Sequence, residues 1–155
     1  MIANEPTADE VEDVPYTGPV SEKAYTMPVN GDILKDFSTS TLQYSATYGD
    51  MRIHSAVDIS CKENTIVSAC TDGTVQSIEK SATLGNTVTI DHGDGLVIKY
   101  AALNNVTLKS GDSVKCGEKL GTVTTVPSEC EDQSHLHIEV FKDGKSISIL
   151  SLFQE

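Results

Sequence analysis

The sequence predicts an all-β domain, an antiparallel β-sandwich of barrel-like character that is built from short strands. Val, Ile and Thr recur in short runs, which favours strands over helices. Gly-Asp and Asp-Gly pairs separate these runs at intervals of about 8 to 12 residues, as in sandwiches and barrels. No segment of the sequence has the apolar periodicity of a helix of useful length.

The chain begins with an acidic segment that we predict to be a flexible tail or linker. Residues 1–22 contain six acidic residues and three prolines, and the first basic residue is Lys23. With so few large apolar side chains, such a segment does not offset the entropy that it loses on ordering. The predicted boundaries are therefore 1–22 for the tail and 23–155 for the folded domain.

The strands are predicted from short apolar runs that end in turn residues. His92-Gly93-Asp94-Gly95, for example, is predicted to join two strands as a hairpin connection. The predicted strands are 65–69, 74–78, 86–91, 96–100, short strands around Val106, Val114, Leu120 and Val123, and a final hairpin that pairs 136–141 with 146–148.

The charge of the chain excludes several classes of partner. Lys and Arg number 11 and Asp and Glu number 23, which gives a net charge of −12. Nucleic acids and anionic membrane surfaces attract basic proteins, so we expect neither as a partner. Protein partners are expected to contribute basic residues instead. The four cysteines form no Cys-x-x-Cys pair, which argues against a four-thiolate zinc site.

His54 and Asp58 form the first candidate pair of functional residues. In a regular strand, side chains four residues apart lie roughly 13 Å from each other, too far to share one metal ion. The two side chains can converge if His54 ends a loop and Asp58 begins a strand over 57–59.

His135 and His137 form the second candidate pair. Period-two alternation places both histidines and Glu139 on one face of the strand 135–140, and its aliphatic residues on the core face. Two imidazoles on one strand face stand about 6.5 to 7 Å apart. That spacing suits one histidine bound to a metal and the other reaching a water or a substrate on that metal.

Together the two candidate pairs provide a His, Asp, His ligand set of nitrogen and oxygen donors, for which zinc is the natural ion. Three protein ligands leave a fourth position of zinc open for water. Bound zinc lowers the pKa of that water and polarises a carbonyl group, which is the chemistry of amide hydrolysis. His135 would then be the acid/base or oxyanion partner.

Five motifs follow one another along the domain: His54-x-x-x-Asp58, Asp72-Gly73-Thr74-Val75, Tyr100-Ala-Ala-Leu103, Gly111-Asp-Ser-Val114-Lys-x-Gly117 and His135-Leu-His137. In this order they resemble the M23 (LytM-type) zinc endopeptidases, which cleave peptide cross-bridges in bacterial peptidoglycan. The resemblance extends from about Met27 to the C-terminus. It implies that His54, Asp58 and His137 are zinc ligands and that His135 is one of two catalytic histidines.

The other catalytic histidine of this family is missing. Active members usually read Tyr-x-His-Leu, and here Ala102 stands in the place of the histidine. Alanine neither transfers a proton nor hydrogen-bonds an oxyanion, and the loss of one such group costs on the order of 10² to 10³ in rate. His92 lies at the predicted hairpin connection and is interpreted as structural.

The sequence resembles a sporulation branch of the family in two respects. It lacks the second catalytic histidine, and it has the phrases at 27–31, 44–47 and 52–59 that fit this branch. That resemblance implies a domain behind one membrane helix in the forespore membrane, facing the space between forespore and mother cell. It also implies a partner in the mother-cell membrane, stage III sporulation protein AH. No apolar run here reaches the roughly 18 to 20 residues of a membrane helix, so we expect an extracytoplasmic domain whose N-terminal anchor lies outside this sequence.

Two functions compete on these observations. The leading hypothesis is a zinc-binding interaction module with weak or no peptidase activity, whose exposed sheet edge could accept a strand of the partner. The alternative is an active zinc metalloendopeptidase on peptidoglycan, in which His135 alone assists zinc or a water near Ala102 replaces the lost imidazole. The Ser110–Gly117 phrase also resembles lipoyl and biotinyl carrier domains, but their hairpin-tip lysine motif has no match here.

Overall fold

The structure, a computed structural model, describes residues 25–38, 42–52 and 54–153. These residues form short strands and two 3-10 helices, so the predicted all-β class is confirmed. The predicted tail, 1–22, lies outside the described residues, and the boundary at 23 stays a prediction. The strands are β1 (Ile33–Lys35), β2 (Gln43–Ser45), β3 (Asp50–Arg52), β4 (Val57–Ser60), β5 (Ile66–Ser68), β6 (Gly73–Ser81), β7 (Gly85–Gly93), β8 (Leu96–Ala101), β9 (Leu103–Asn104), β10 (Ser113–Val114), β11 (Lys119–Val123), β12 (His135–Lys142) and β13 (Lys145–Ile147); the 3-10 helices are Pro127–Glu129 and Ile149–Phe153.

The strands form three antiparallel sheets. The large sheet has the order β1-β4-β12-β8-β7-β6-β10, and β13 pairs with the far end of β12. A second sheet has the order β5-β11-β9, and β2 and β3 form a separate hairpin. Among the described residues the large sheet ends at β1 and β10 and is not closed into a barrel, so the predicted sandwich is confirmed in an open form. No helix of the described residues is long and apolar enough to cross a membrane.

Strand β12 lies in the interior of the large sheet, between β4 and β8. It pairs with β4 through its first half and with β8 from His137 to Lys142. Its alternate residues Leu136, Ile138 and Val140 are at most 1% exposed and join one apolar core with residues of the second sheet. The predicted alternation is therefore correct, and it leaves the opposite face of β12 free to carry polar residues.

Two sequence predictions about turns need correction. Strand β7 continues through Gly93, so His92 lies in the strand, and only Asp94 and Gly95 turn the chain, both with positive φ. The predicted strand around Val106 is wrong, because the strand is Leu103–Asn104. Ala102 and Asn105 flank that strand with φ near +57° and +56°, a left-handed conformation that no strand continues through. Strands β1, β2 and β3 were not predicted.

Candidate metal centre

Strands β4 and β12 place two predicted ligands opposite each other. Asp58 and His137 are Cα partners in the antiparallel register of these strands. Directly paired residues project from the same face of a sheet with Cβ atoms about 4.5 to 5.5 Å apart. Asp58 Oδ1 accordingly accepts a hydrogen bond from His137 Nδ1 at 2.9 Å.

His54 reaches the same point from the segment before β4. Its Nε2 lies 3.3 Å from Asp58 Oδ2 although the two residues are four apart, because β4 begins only at Val57. The loop-to-strand bend inferred from the sequence is therefore present. His54, Asp58 and His137 are all buried, and their side chains converge.

His135 lies at the start of β12, on the same face as His137. Its Nε2 is 3.5 Å from Asp58 Oδ2, and its Nδ1 is 2.6 Å from the carbonyl oxygen of Gln133. That carbonyl can only accept, so it fixes the proton on Nδ1 and leaves Nε2 directed at the cluster. This placement at the margin of the ligand set agrees with the predicted acid/base role, which stays a prediction.

Glu129 lies at the middle of the cluster, a residue that the sequence did not single out. It ends the 3-10 helix Pro127–Glu129. Its Oε1 is 2.8 Å from His137 Nδ1 and 2.9 Å from His135 Nε2, and its Oε2 is 2.9 Å from His54 Nε2. The sequence marks only its neighbourhood: residues 129, 131 and 132 are all acidic and closely precede the His-x-His strand.

Groups outside the cluster orient two of the imidazoles. His54 Nδ1 lies 3.3 Å from the carbonyl oxygen of Asp36, and His137 Nε2 lies 3.1 Å from Glu139 Oε2. Histidines that bind metals commonly donate their second ring N–H to such acceptors, which fixes the ring and its tautomer. In this arrangement Nε2 of His54 and Nδ1 of His137 face the centre.

The donor set fits a zinc ion. Single donor atoms of His54, Asp58, Glu129 and His137 lie within 4.8 Å of one another. Imidazole nitrogen and carboxylate oxygen are both zinc ligands. Asp58 Oδ2 is also buried without a hydrogen bond from the described residues, and His54 Nε2 and His135 Nε2 lie 3.3 and 3.5 Å from it. A buried carboxylate oxygen is costly unless it is paired or coordinates a cation.

The cluster shifts the pKa values of its members. Burial alone would lower the pKa of His54, but the adjacent carboxylates of Asp58 and Glu129 outweigh burial and raise that pKa to about 9. The pKa values of His135 and His137 are raised against burial by the same carboxylates. Burial would raise the pKa of Glu129, but its hydrogen bonds with the three histidines lower that pKa. The metal-free cluster therefore favours cationic histidines around anionic carboxylates.

The metal-free domain is expected to lose stability as the pH rises from about 6.5 to about 9. The pKa of His54 is higher in the folded state, about 9, than the ordinary histidine value of 6.5 expected in the unfolded chain, so its contribution to stability is complete below pH 6.5 and is lost as the pH rises through 9. Urea unfolding in a chelator at pH 6, 7.5 and 9 measures this. A His54→Gln variant should show a smaller decline, and a wild-type midpoint that is constant or rises over this range would contradict the expectation.

Ala102 lies beside the centre without adding to its chemistry. Its neighbour Ala101 pairs with His137 in the sheet, and Ala102 itself is buried with φ near +57°. A Cβ atom built on Gly85 would lie 3.7 Å from the Cβ of Ala102 and 3.6 Å from Pro127 Cδ, so Ala102 and the loop carrying Glu129 border the same space.

His92 does not replace the missing imidazole. Its Nε2 lies 3.0 Å from the Tyr100 hydroxyl and its Nδ1 3.0 Å from the carbonyl oxygen of Asp72. Tyr100 pairs with Ile138 and belongs to the apolar core, so its side chain lies on the face of the sheet opposite to His137. The interpretation of His92 as a structural residue agrees with this placement.

A cleft of about 280 Å³ opens beside the centre. His54, Glu129 and His137 form part of its wall, and Lys35 and Arg52 add positive charge. Lys35 Nζ is 2.8 Å from Asp132 Oδ2 and 3.8 Å from Glu129 Oε2, so it also fixes the segment that carries Glu129. The centre is thus reachable from solvent along one side.

Comparisons with known proteins agree with the site. The chain is 34% identical over 89 residues to stage II sporulation protein Q of Bacillus subtilis (strain 168), and these residues are 57% of this chain and 31% of that protein. It is 30% identical over 115 residues to cell division protein DipM of Caulobacter vibrioides (strain NA1000 / CB15N), and these residues are 74% of this chain and 18% of that protein. The chain thus spans less than a third of the length of these curated relatives.

Solved structures show the same likeness. A chain in the structure of the SpoIIQ–SpoIIIAH pore-forming complex superposes with a TM-score of 0.72 at 27% identity, covering 84% of this chain and 91% of that one. The predicted resemblance to the sporulation branch is thereby confirmed. The family model described as peptidase family M23 matches residues 52–149, more than half of the chain. The chain therefore belongs to peptidase family M23.

Proposed function

We propose that this chain is a zinc-binding LytM-type domain of a sporulation protein that acts mainly as an interaction module. It would work in the channel-like complex between forespore and mother cell, with weak or no peptidase activity. One observation carries the proposal. His54, Asp58 and His137 converge as a ligand set, whereas Ala102 occupies the position of the second catalytic histidine.

His54 Nε2, one oxygen of Asp58 and His137 Nδ1 would hold the zinc ion. When bound, zinc supplies a Lewis acid and a structural link between β4, β12 and the segment before β4. Asp36 and Glu139 orient the two imidazoles from behind, through their contacts with His54 Nδ1 and His137 Nε2. The chain's own residues thus provide a preformed site on the large sheet.

The absence of a second imidazole supports the non-hydrolytic role. The chain has four histidines, of which three lie in the cluster and His92 lies on the core face. His135 is then the one imidazole left for proton transfer, and the loss of a positioned acid/base or oxyanion donor costs on the order of 10² to 10³ in rate.

The proposed partner is a mother-cell membrane protein similar to stage III sporulation protein AH. The support is the likeness to SpoIIQ in its complex with SpoIIIAH. The domain would be extracytoplasmic, held by an N-terminal membrane helix in the forespore membrane and facing the intermembrane space. The net charge of −12 favours a partner surface with basic residues.

A second candidate function is that of an active zinc metalloendopeptidase on peptidoglycan. The cleft beside the centre favours it, because His137, Arg52 and Lys35 line a space into which a peptide could enter. In this case His135 alone, or a water near Ala102, would assist the metal.

Binding to the partner tests the proposed module directly. The zinc-loaded chain is titrated by calorimetry with the soluble domain of the stage III sporulation protein AH of the same organism. We expect saturable binding that weakens as salt rises, because oppositely charged surfaces are screened. Lack of binding by a folded, zinc-loaded chain would refute the proposed partner.

A further inference from the structure

The segment that carries Glu129 is fixed to the domain at several points. Ser128 N–H donates to the carbonyl oxygen of Thr83 at 2.9 Å, in the connection between β6 and β7. Glu131 N–H donates to Thr47 Oγ1 at 3.1 Å, in the turn between β2 and β3. Lys35 binds Asp132 on the same segment. The position of the Glu129 carboxylate is therefore set by the fold around it.

The Glu129 carboxylate occupies the place toward which the other donors point. It contacts ring nitrogens of His54, His135 and His137 at 2.8 to 2.9 Å, and it is 7% exposed. Donor atoms around a tetrahedral zinc ion, bound at about 2.0 to 2.1 Å, lie roughly 3.3 Å apart. The donor atoms of the four-residue group all lie within 4.8 Å of one another, which is compatible with such a site after small adjustments.

A second observation points to a cation at this place. Asp58 is 1% exposed, and its Oδ2 has no hydrogen-bond partner among the described residues. Two carboxylates together with two neutral imidazoles neutralise the charge of a divalent ion, which favours its burial. The charge count therefore favours a site in which Asp58 and Glu129 both bind.

We propose that Glu129 is a fourth protein ligand of the metal and closes the site that His54, Asp58 and His137 form. The inference rests on the proposed zinc site and deepens it. Zinc sites with four protein ligands are structural, whereas catalytic sites keep one position for water. A closed site would bind zinc more tightly and would exclude water from the ion, so loss of activity would have a cause besides Ala102.

Zinc affinity and a cobalt spectrum test this assignment in the full chain. Removal of a group that only orients a metal ligand typically weakens metal binding roughly 10- to 100-fold. Because Glu129 is proposed to bind the metal itself, we expect Glu129→Ala to weaken zinc binding by at least this much. Glu129→Gln, which keeps the length but loses the charge, should fall between this variant and the wild type. Glu131→Ala removes a nearby exposed carboxylate and should leave the affinity unchanged. Circular dichroism verifies that each variant is folded.

Azide then shows whether the metal has an exchangeable position. With Co²⁺ in place of zinc, the visible spectrum of the wild type should not respond to azide, whereas that of Glu129→Ala should change. An azide response in the wild type, or unchanged zinc affinity in Glu129→Ala, would overturn the fourth-ligand assignment and leave the three-ligand zinc site standing. Unchanged zinc affinity in His137→Ala would instead refute the zinc site itself.

Discussion

Asp58→Asn is expected to remove high-affinity zinc binding and with it the thermal stabilisation by zinc. Asp58 is buried, its Oδ1 positions His137, and its Oδ2 accepts no hydrogen bond from the described residues and faces His54 and His135. Asparagine keeps the shape but loses the charge that attracts the ion. At zinc about 1,000-fold above its Kd, binding stabilises the native wild type by about 4 kcal/mol, which raises the Tm by roughly 10 °C.

Thermal unfolding with zinc and with a chelator measures this effect. Asp91→Asn is the matched control, because Asp91 is an exposed residue of β7 whose side chain accepts a hydrogen bond from Gly93 N–H. The control should keep the full zinc-dependent rise in Tm. A rise of the same size in Asp58→Asn would show that the ion binds elsewhere.

Ala102→His alone is expected to leave the chain without peptidase activity, and the double variant with Glu129→Ala is expected to gain it. The single change supplies an imidazole but leaves the fourth metal position filled by Glu129. The double variant supplies the imidazole and opens the position, and we expect a gain on the order of 10² over either single variant.

The site has room for the new side chain. Histidine tolerates the left-handed backbone at position 102 better than most residues, and Gly85 leaves space beside Ala102 because it lacks a side chain. Release of peptidoglycan fragments, read by mass spectrometry, measures the activity. Addition of His137→Ala to the double variant should abolish it. Full activity in Ala102→His alone would contradict a closed site.

The sequence was most informative about the parts of the fold that follow simple periodicity. The alternation in β12 placed Leu136, Ile138 and Val140 in the core. The Asp-Gly pairs at 94–95 and 143–144 located the β7–β8 and β12–β13 hairpins. The strands β1, β2 and β3 escaped prediction because they bury only one side chain among them, so they carry no apolar alternation. The strand near Val106 was misplaced because a left-handed Ala102 is not readable from sequence.

The candidate site was predictable where the sequence motifs mark its residues. His54, Asp58, His135 and His137 lie together as the motif spacing implied. Glu129 could not be chosen from its acidic neighbours, because a loop anchored to Thr83 and Thr47 directs it inward. Such long-range contacts have no local sequence signal.

The proposal of a closed, non-hydrolytic zinc centre is tested most directly by digestion of peptidoglycan with the zinc-loaded wild-type chain. The chain is loaded with one equivalent of zinc, its metal content is verified by mass spectrometry, and released fragments are compared with those from a His137→Ala control. We predict bound zinc and no fragments beyond the control. Fragments that appear only with the wild type would show an open, catalytic site and would contradict both the closed centre and the role as a non-hydrolytic module.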